Sequence, residues 1–491
     1  MLLPSRTKKF VDLINEVEFR PKEINYILNK YKISSATLIR LSNELNNLIH
    51  PSKLVSNGNI LSLELANHHS SDYCISKALQ NSLEYNLLLK IFFDESYTIS
   101  SLAEALFTSE STIKRTIKDI NLNLSPLNYK ISTKPVRIIG DEIKIRHFFI
   151  ILIKEMFGLE NLPFKNEDLY FVEQVYNNLH TKFGSEYCRQ DLLNLQLFSL
   201  VSLQREINSN TFTINPNLIS NRETIINSLI SKKPNLFIPE YKGVSYIKIF
   251  HFLLTDRYFL EKNDDLSLNN DRIKKIGLFL DEIEHVFIYK YSEDNRNKLL
   301  KKIYDIIWGY LSIPDSYESA NNYYKKFFNE NDFFLENMND IFKIIFNKHF
   351  QNTSKNNMYM IFFSMITETD NLLENFMKNI KPVEILVYVN FDFSFNSYLK
   401  NKLKLILPGE NTLKFIDERQ SIKFDESFFN DYDLVITNHF FDDAPKIDNY
   451  IIISHFLSEI DLTKIKKLHS NILKKKFNTI ADEMIHRALS N

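Results

Sequence analysis

The sequence predicts a multidomain, mostly α-helical chain: two N-terminal winged helix-turn-helix modules, two all-helical bundles and one small C-terminal α/β domain. Three observations lead there. At 491 residues the chain is too long for one hydrophobic core. Its 8 glycines and 13 prolines disfavour a β-sandwich or a low-complexity protein, while 44% apolar residues are ample for packed interiors. The apolar spacing also changes along the chain. A helix-turn-helix-hairpin pattern comes twice, long helical stripes follow, and short β-runs alternate with helices after Lys381.

The most informative stretch is Ser101 to Arg146, within a module spanning residues 67–160 that is entered through a helix from Cys74 to Phe93. Ser101 and Glu104 stand in capping-box spacing, so a helix is expected from there to about Leu106. Phe107, Thr108 and Ser109 form a turn, and Ser109 caps a second helix over 110–122. That helix carries Ile113, Ile117 and Ile120 on one stripe. Ser111, Arg115 and Lys118 lie opposite, flanked by Thr112 and Lys114. An apolar back and a basic, hydroxyl-rich front suit a helix entering a DNA groove. An ordinary helix with a solvated face is the alternative, and the turn before it and wing after it favour DNA. The wing pairs 129–133 with 136–139 about Lys134-Pro135, placing Lys130, Lys134 and Arg137 to reach phosphate or a minor groove, unless it serves only as packing.

Residues 1–66 hold a second candidate of this kind. A helix is expected over 22–30 after Pro21, then a KIS turn, a Ser34 or Ser35 cap, and a helix over 36–49 burying Leu38, Leu41, Leu45 and Leu48. Ala36, Arg40, Asn43 and Asn47 face outward, Pro51 stops the helix, and 53–65 form a hairpin around Asn57-Gly58. DNA contact through Arg40, Asn43 and Asn47 and scaffolding of the next module are both open readings.

After Gly140 an apolar helix is expected to dock the next domain. The bundle at 161–268 has candidate helices at 168–183, 191–208, 217–230 and 244–260, and that at 269–378 has them at 272–291, 296–311, 317–328 and 333–350. Residues 379–491 read as a small parallel α/β domain, with strands at Val383, Leu413, Leu434 and Tyr450, a helix near 397–405 and a C-terminal helix.

Composition narrows the function. The formal net charge is −1, so this is no globally basic nucleic-acid coat, although residues 1–160 carry 20 basic against 17 acidic side chains. Two cysteines, Cys74 and Cys188, fit a reducing compartment and no four-cysteine zinc site. No apolar run approaches the ~20 residues that span a bilayer, and MLLPSRTKKF is neither signal peptide nor anchor, so a cytoplasmic protein without membrane association is expected. No glycine-rich phosphate loop, HExxH or paired-cysteine spacing occurs, and His68-His69 reads as a solvated joint. No enzyme, cofactor or metal is expected.

The motif SLAEALFTSESTIKRTIKDIN followed by ISTKPVRIIGDEIKIRHFF, with this domain order, resembles the Mga/AtxA type of Gram-positive virulence regulator. The resemblance implies two PTS regulation domains (PRDs) at 161–268 and 269–378 and an EIIB-like domain at 379–491. It also implies double-stranded promoter DNA as partner, a homodimer, and histidine phosphorylation by a phosphotransferase-system phosphodonor. A PRD acceptor histidine about seven residues before an arginine is replaced here by Phe198 before Arg205. A second position matches Tyr246 to His251, making His251 the phosphorylation candidate beside its reading as a core histidine. The second bundle has no matching histidine, since His285 and His349 fall elsewhere; Asn390 stands near the EIIB phosphocysteine position. A global activator of virulence or metabolic genes is the leading reading. A PRD-containing RNA-binding antiterminator and a PTS-linked signalling protein acting by protein contacts are the alternatives.

Overall fold

The computed structural model describes residues 5–125, 128–159, 161–183, 189–213, 244–250, 270–308, 322–329, 333–369, 372, 380–389, 393–416, 431–438, 449–454 and 457–490. The chain divides into two compact units, Met1–Leu266 with Ile313–Tyr323, and Ser267–Ser312 with Tyr324–Asn491.

The first unit opens with α1 (Ser5–Val17), β1 (Lys22–Glu23), α2 (Ile24–Tyr31), α3 (Ser35–Ile49), β2 (Lys53–Asn57) and β3 (Ile60–Glu64). The expected helix at Lys22 begins two residues later. Lys22 and Glu23 instead pair with Leu61 and Ile60, making a three-stranded antiparallel sheet in the order β1-β3-β2. Pairing satisfies the outer edge of β3, which a helix at Lys22 would leave open. The hairpin turn also lies one residue further on. Asn57 closes the ladder opposite Ile60, and Gly58, with φ +61°, takes the left-handed position. Glu16 joins α1 to α2, its carboxylate accepting from Lys30 Nζ at 2.6 Å and Tyr31 Oη at 2.9 Å.

The second module comprises α4 (Ser71–Gln80), α5 (Leu83–Phe93), α6 (Ile99–Ala105), α7 (Glu110–Leu124), β4 (Lys130–Thr133), β5 (Val136–Ile139) and α8 (Glu142–Phe157). The single helix expected from Cys74 to Phe93 is two. Asn81 Nδ2 donates to Lys77 O, and Asn86 Nδ2 to the carbonyls of Gln80 and Ser82. These amides take over helix-end carbonyls and allow the break. As expected, α8 docks onward, packing on α4 and on α10 (Arg189–Ile207), which follows α9 (Asn166–Phe183). Phe149, Leu152 and Ile153 of α8 are fully buried in this contact region. Short α11 (Tyr246–Ile249) packs on α10. The candidate helix at 217–230, most of that at 244–260, and His251, Cys188 and Asn390 lie outside the described residues.

The second unit contains α12 (Asn270–Phe287), α13 (Glu293–Trp308), α14 (Tyr323–Asn329), α15 (Phe333–His349) and α16 (Lys355–Thr367). Beyond them come β6 (Val383–Tyr388), α17 (Phe393–Ile406), β7 (Asn411–Phe415), β8 (Leu434–Thr437), β9 (Tyr450–Ile452) and α18 (Glu459–Ser490). The strands form a parallel sheet in the order β7-β6-β8-β9. All four residues of β8 are buried, as expected for a central parallel strand covered on both faces. The 32-residue α18 packs against β6 and β8 and also against α12 and α15. One helix therefore serves the core of both segments that sequence composition separates at 379. Among the described residues no helix is long and apolar enough to cross a membrane.

His469 of α18 is fully buried, with Nε2 2.5 Å from Asn411 Oδ1 and no partner at Nδ1. Burial pushes its pKa down to about 4 from an ordinary 6.5. The unfolded chain therefore binds the proton first, and the second unit is expected to lose stability as pH falls from about 6.5 toward 4. Denaturant midpoints over that range should decline less steeply in His469→Leu; an unchanged pH dependence would exclude His469 as a source.

Candidate nucleic-acid interface

Local chemistry builds the helix-turn-helix from its caps inward. α6 starts at Ile99 rather than at Ser101, because Thr98 is the cap. Thr98 Oγ1 accepts from Ser101 N at 3.1 Å, and Ser101 Oγ accepts from Thr98 N at 2.9 Å. The reciprocal partner is a serine, which is why the Ser101–Glu104 pattern misplaced the start. The turn passes through Phe107, at φ +52° and 98% exposed, and Thr108 N donates back to Ala103 O. Ser109 then caps α7, its Oγ accepting from Thr112 N at 3.1 Å.

Ile113, Thr116, Ile117, Ile120 and Leu124 of α7 are buried. Ser111, Lys114, Arg115 and Lys118 are exposed and Thr112 is half-buried, so the predicted residues do share the outward face. Lys114 Nζ lies 3.3 Å from Glu110 Oε2, an exposed i,i+4 pair. Such a pair contributes only about 0.3–0.5 kcal/mol and opens readily for a phosphate. Glu110 also sits in the first turn, where it favours the helix dipole. In the wing, Ser132 pairs with Arg137 and Thr133 with Val136, leaving Lys130, Lys134 and Arg137 exposed. Gly140 ends the wing where a side chain is excluded: a Cβ there would lie 2.9 Å from Tyr129 Cδ1 and 3.1 Å from Asn128 O.

The sequence reading missed a residue that fixes wing to helix. Asn121 Nδ2 donates to Ile131 O at 3.0 Å and its Oδ1 accepts from Ile131 N at 2.6 Å. The first module has the same clamp. Asn46 Nδ2 donates to Leu54 O at 3.1 Å and its Oδ1 accepts from Leu54 N at 2.7 Å.

The correspondence extends through α3 and α7. Ser34 caps α3 through Thr37 N as Ser109 caps α7 through Thr112 N. Lys32 holds the left-handed turn position that Phe107 holds in the second module. Leu38, Leu41, Ser42, Leu45 and Ile49 are buried in register with Ile113, Thr116, Ile117, Ile120 and Leu124. Arg40 consequently occupies the exposed position of Arg115, Asn43 that of Lys118, and Asn47 that of Leu122. A shared pattern, Ser-x-x-Thr-x-x-Arg-x-x-x-x-x-Asn, starts at Ser34 and again at Ser109 and was the available signal.

The other sequence candidates are accounted for differently. Phe198 is half-buried, edge-on to His147 with ring centroids 5.7 Å apart, and Arg205 is buried against carboxylates. His285 is exposed, and His349 lies 2.6 Å from Glu282 Oε2. Burial pushes the Cys74 thiol up to about 11, away from nucleophilic or metal-binding character. Among the described residues no group of three or more His, Cys, Asp and Glu could hold a metal.

The Mga helix-turn-helix domain matches residues 67–152, from the approach to α4 into α8. The chain carries an Mga-type helix-turn-helix domain. A "Putative trans-acting regulator" of Streptococcus pneumoniae serotype 4 (strain ATCC BAA-334 / TIGR4) is 24% identical over 438 residues, 82% of each chain. "Capsule synthesis positive regulator AcpB" of Bacillus anthracis is 24% identical over 225 residues, 46% of each chain. "Capsule synthesis positive regulator AcpA" of Bacillus anthracis is 28% identical over 106 residues, 22% of this chain and 21% of AcpA. All three are named as regulators, and the Mga-type domain coincides with the module whose caps, turn and wing are described above.

Asn121→Ala would leave both backbone groups of buried Ile131 without their helix partner. A loss of about 1–3 kcal/mol is expected, since a buried polar group left unpaired costs about that much. Asn46→Ala is expected to behave alike, with chemical denaturation as the measurement.

Proposed function

We propose that this chain is a transcriptional regulator that reads double-stranded promoter DNA with both winged helix-turn-helix modules. The matched chemistry of α3 and α7 supports this most directly: identical caps, equivalent clamps and an arginine at the same exposed position, Arg40 and Arg115. Arg115 makes the principal groove contact, with Ser111, Thr112, Lys114 and Lys118 around it, and Lys134 and Arg137 of the wing engage phosphates. Arg40, Asn43 and Asn47 form a second, less cationic face, so the first module adds site length and hydrogen-bond readout more than charge.

The "positive regulator" names of AcpB and AcpA support activation as the sign of control, and capsule or other virulence genes as the target class. The parallel order β7-β6-β8-β9 supports an EIIB-like C-terminal domain, and the helical tracts support two PRD-like bundles. On this reading the protein works in the cytoplasm as a homodimer, with His251 as the phosphotransferase-system acceptor.

Arg115→Ala is expected to cost about 1–3 kcal/mol of duplex binding, and Lys134→Ala to reduce the salt slope by about 1. Arg40→Ala should also weaken binding; wild-type affinity in Arg40→Ala, titrated at fixed salt, would confine DNA contact to the second module.

A further inference from the structure

The C-terminal turn of α10 reaches the segment that leads into the recognition module. Gln204 Nε2 donates to Phe93 O at 2.9 Å and Asn208 Nδ2 to Phe92 O at 2.8 Å, supplying donors to the end of α5. Arg205 Nη1 donates to Glu95 Oε1 at 2.7 Å, and Asn210 Nδ2 donates to the same oxygen at 3.0 Å. Just beyond Glu95, Tyr97 O accepts from Val136 N of the wing and Thr98 caps α6. Glu95 is therefore where the first bundle grips the base of the helix-turn-helix.

Behind Glu95 the contacts continue inward. Arg205 binds Glu142 with two bonds, Nε to Oε1 at 3.0 Å and Nη2 to Oε2 at 2.7 Å. Arg146 Nε shares Glu142 Oε1 at 3.0 Å, and Arg146 Nη2 donates to Glu206 Oε1 at 2.6 Å and Asn210 O at 3.0 Å. Arg146 Nη1 reaches Lys248 O of α11 at 3.2 Å. Both arginine side chains are only 1% exposed.

We propose that Glu95, Glu142, Arg146, Arg205 and Glu206 couple the first bundle to DNA reading, with Arg205 as the positioning residue for α7. This rests on α7 being the DNA-reading helix. Each guanidinium has fixed donor directions, so its carboxylates hold one orientation rather than a range. A shift of α11 that withdraws Lys248 O removes an acceptor from Arg146. The shared Glu142 passes the re-pairing to Arg205, and Glu95 carries it to the segment that sets α6 and α7. Phe149, 5.6 Å beneath Arg205, and Phe212, 4.6 Å from Arg146, add aromatic surroundings of low dielectric in which a lost acceptor costs more than it would in water.

The test uses the full chain, with Glu95→Gln, Glu206→Gln and the double variant titrated against a fluorescent mixed-sequence DNA duplex at several salt concentrations. Each single variant should weaken binding by about fivefold or more, within the range of site-to-site coupling. The salt slope should stay unchanged because no phosphate contact is lost. The double variant should bind no more weakly than the weaker single, since both break one linkage. Folded single variants with wild-type affinity, or effects that multiply in the double, overturn the proposal. Hydrogen exchange of the wild type decides the case if a variant does not fold: amides of 95–99 should share the protection of 204–208, and much faster independent opening of 95–99 overturns it. A wild type without duplex affinity would instead refute the DNA reading of α7, while the exchange comparison still judges the linkage.

Discussion

Arg146 and Arg205 impose the strictest constraint in the first unit. A guanidinium removed from water loses several kcal/mol of solvation, and the loss is offset only if nearly every donor finds an acceptor in good geometry. Here the acceptors come from the loop before α6, from α8, from the end of α10 and from α11. These elements can meet in few ways that satisfy both arginines. Apolar packing between α8 and α10 supplies the larger share of stabilisation through area removed from water. It has no direction, and the charged cluster supplies the direction.

That constraint gives the helix-turn-helix a fixed platform. α7 presents its cations through local devices: a serine cap, a turn residue with positive φ, and an asparagine holding the wing strand. The same devices recur in α3, where the outward residues are more often neutral. Equal geometry with unequal charge therefore distinguishes the two modules, the outward face of α7 being the more cationic. In the second unit α18 plays the integrating role, its buried face continuing from the helical bundle to the parallel sheet. His469 and Asp461 are buried polar residues of the same helix.

Much of the fold was legible in the sequence because local periodicity is a local property. The stripe of Ile113, Ile117 and Ile120, the alternation in 130–139 and the apolar run at Leu434 each announced their element. Errors fell where two local rules compete. Thr98 and Ser101 both suit a helix cap, and Lys22 and Glu23 suit a first helical turn as well as an edge strand. Asn81 and Ser82 interrupt an otherwise continuous apolar pattern, and only their side-chain hydrogen bonds decide for a break. The outward placement of Arg115 and Arg40 was legible, whereas the Asn46 and Asn121 clamps were not, because an asparagine late in a helix reads as solvated until its strand partner is known.

The sequence by itself determined the periodic elements, the two serine-capped helices α3 and α7, the exposed cationic face and the change from helical to parallel α/β texture. Each follows from residues within a few positions of one another. Tertiary structure alone decided that Arg205 grips Glu95 across 110 residues, that Arg146 reaches Lys248, and that α18 belongs to two cores. The reason is physical: a buried charge or an apolar face states only that it needs a partner, and the partner is fixed when the whole chain finds the arrangement that leaves neither unsatisfied.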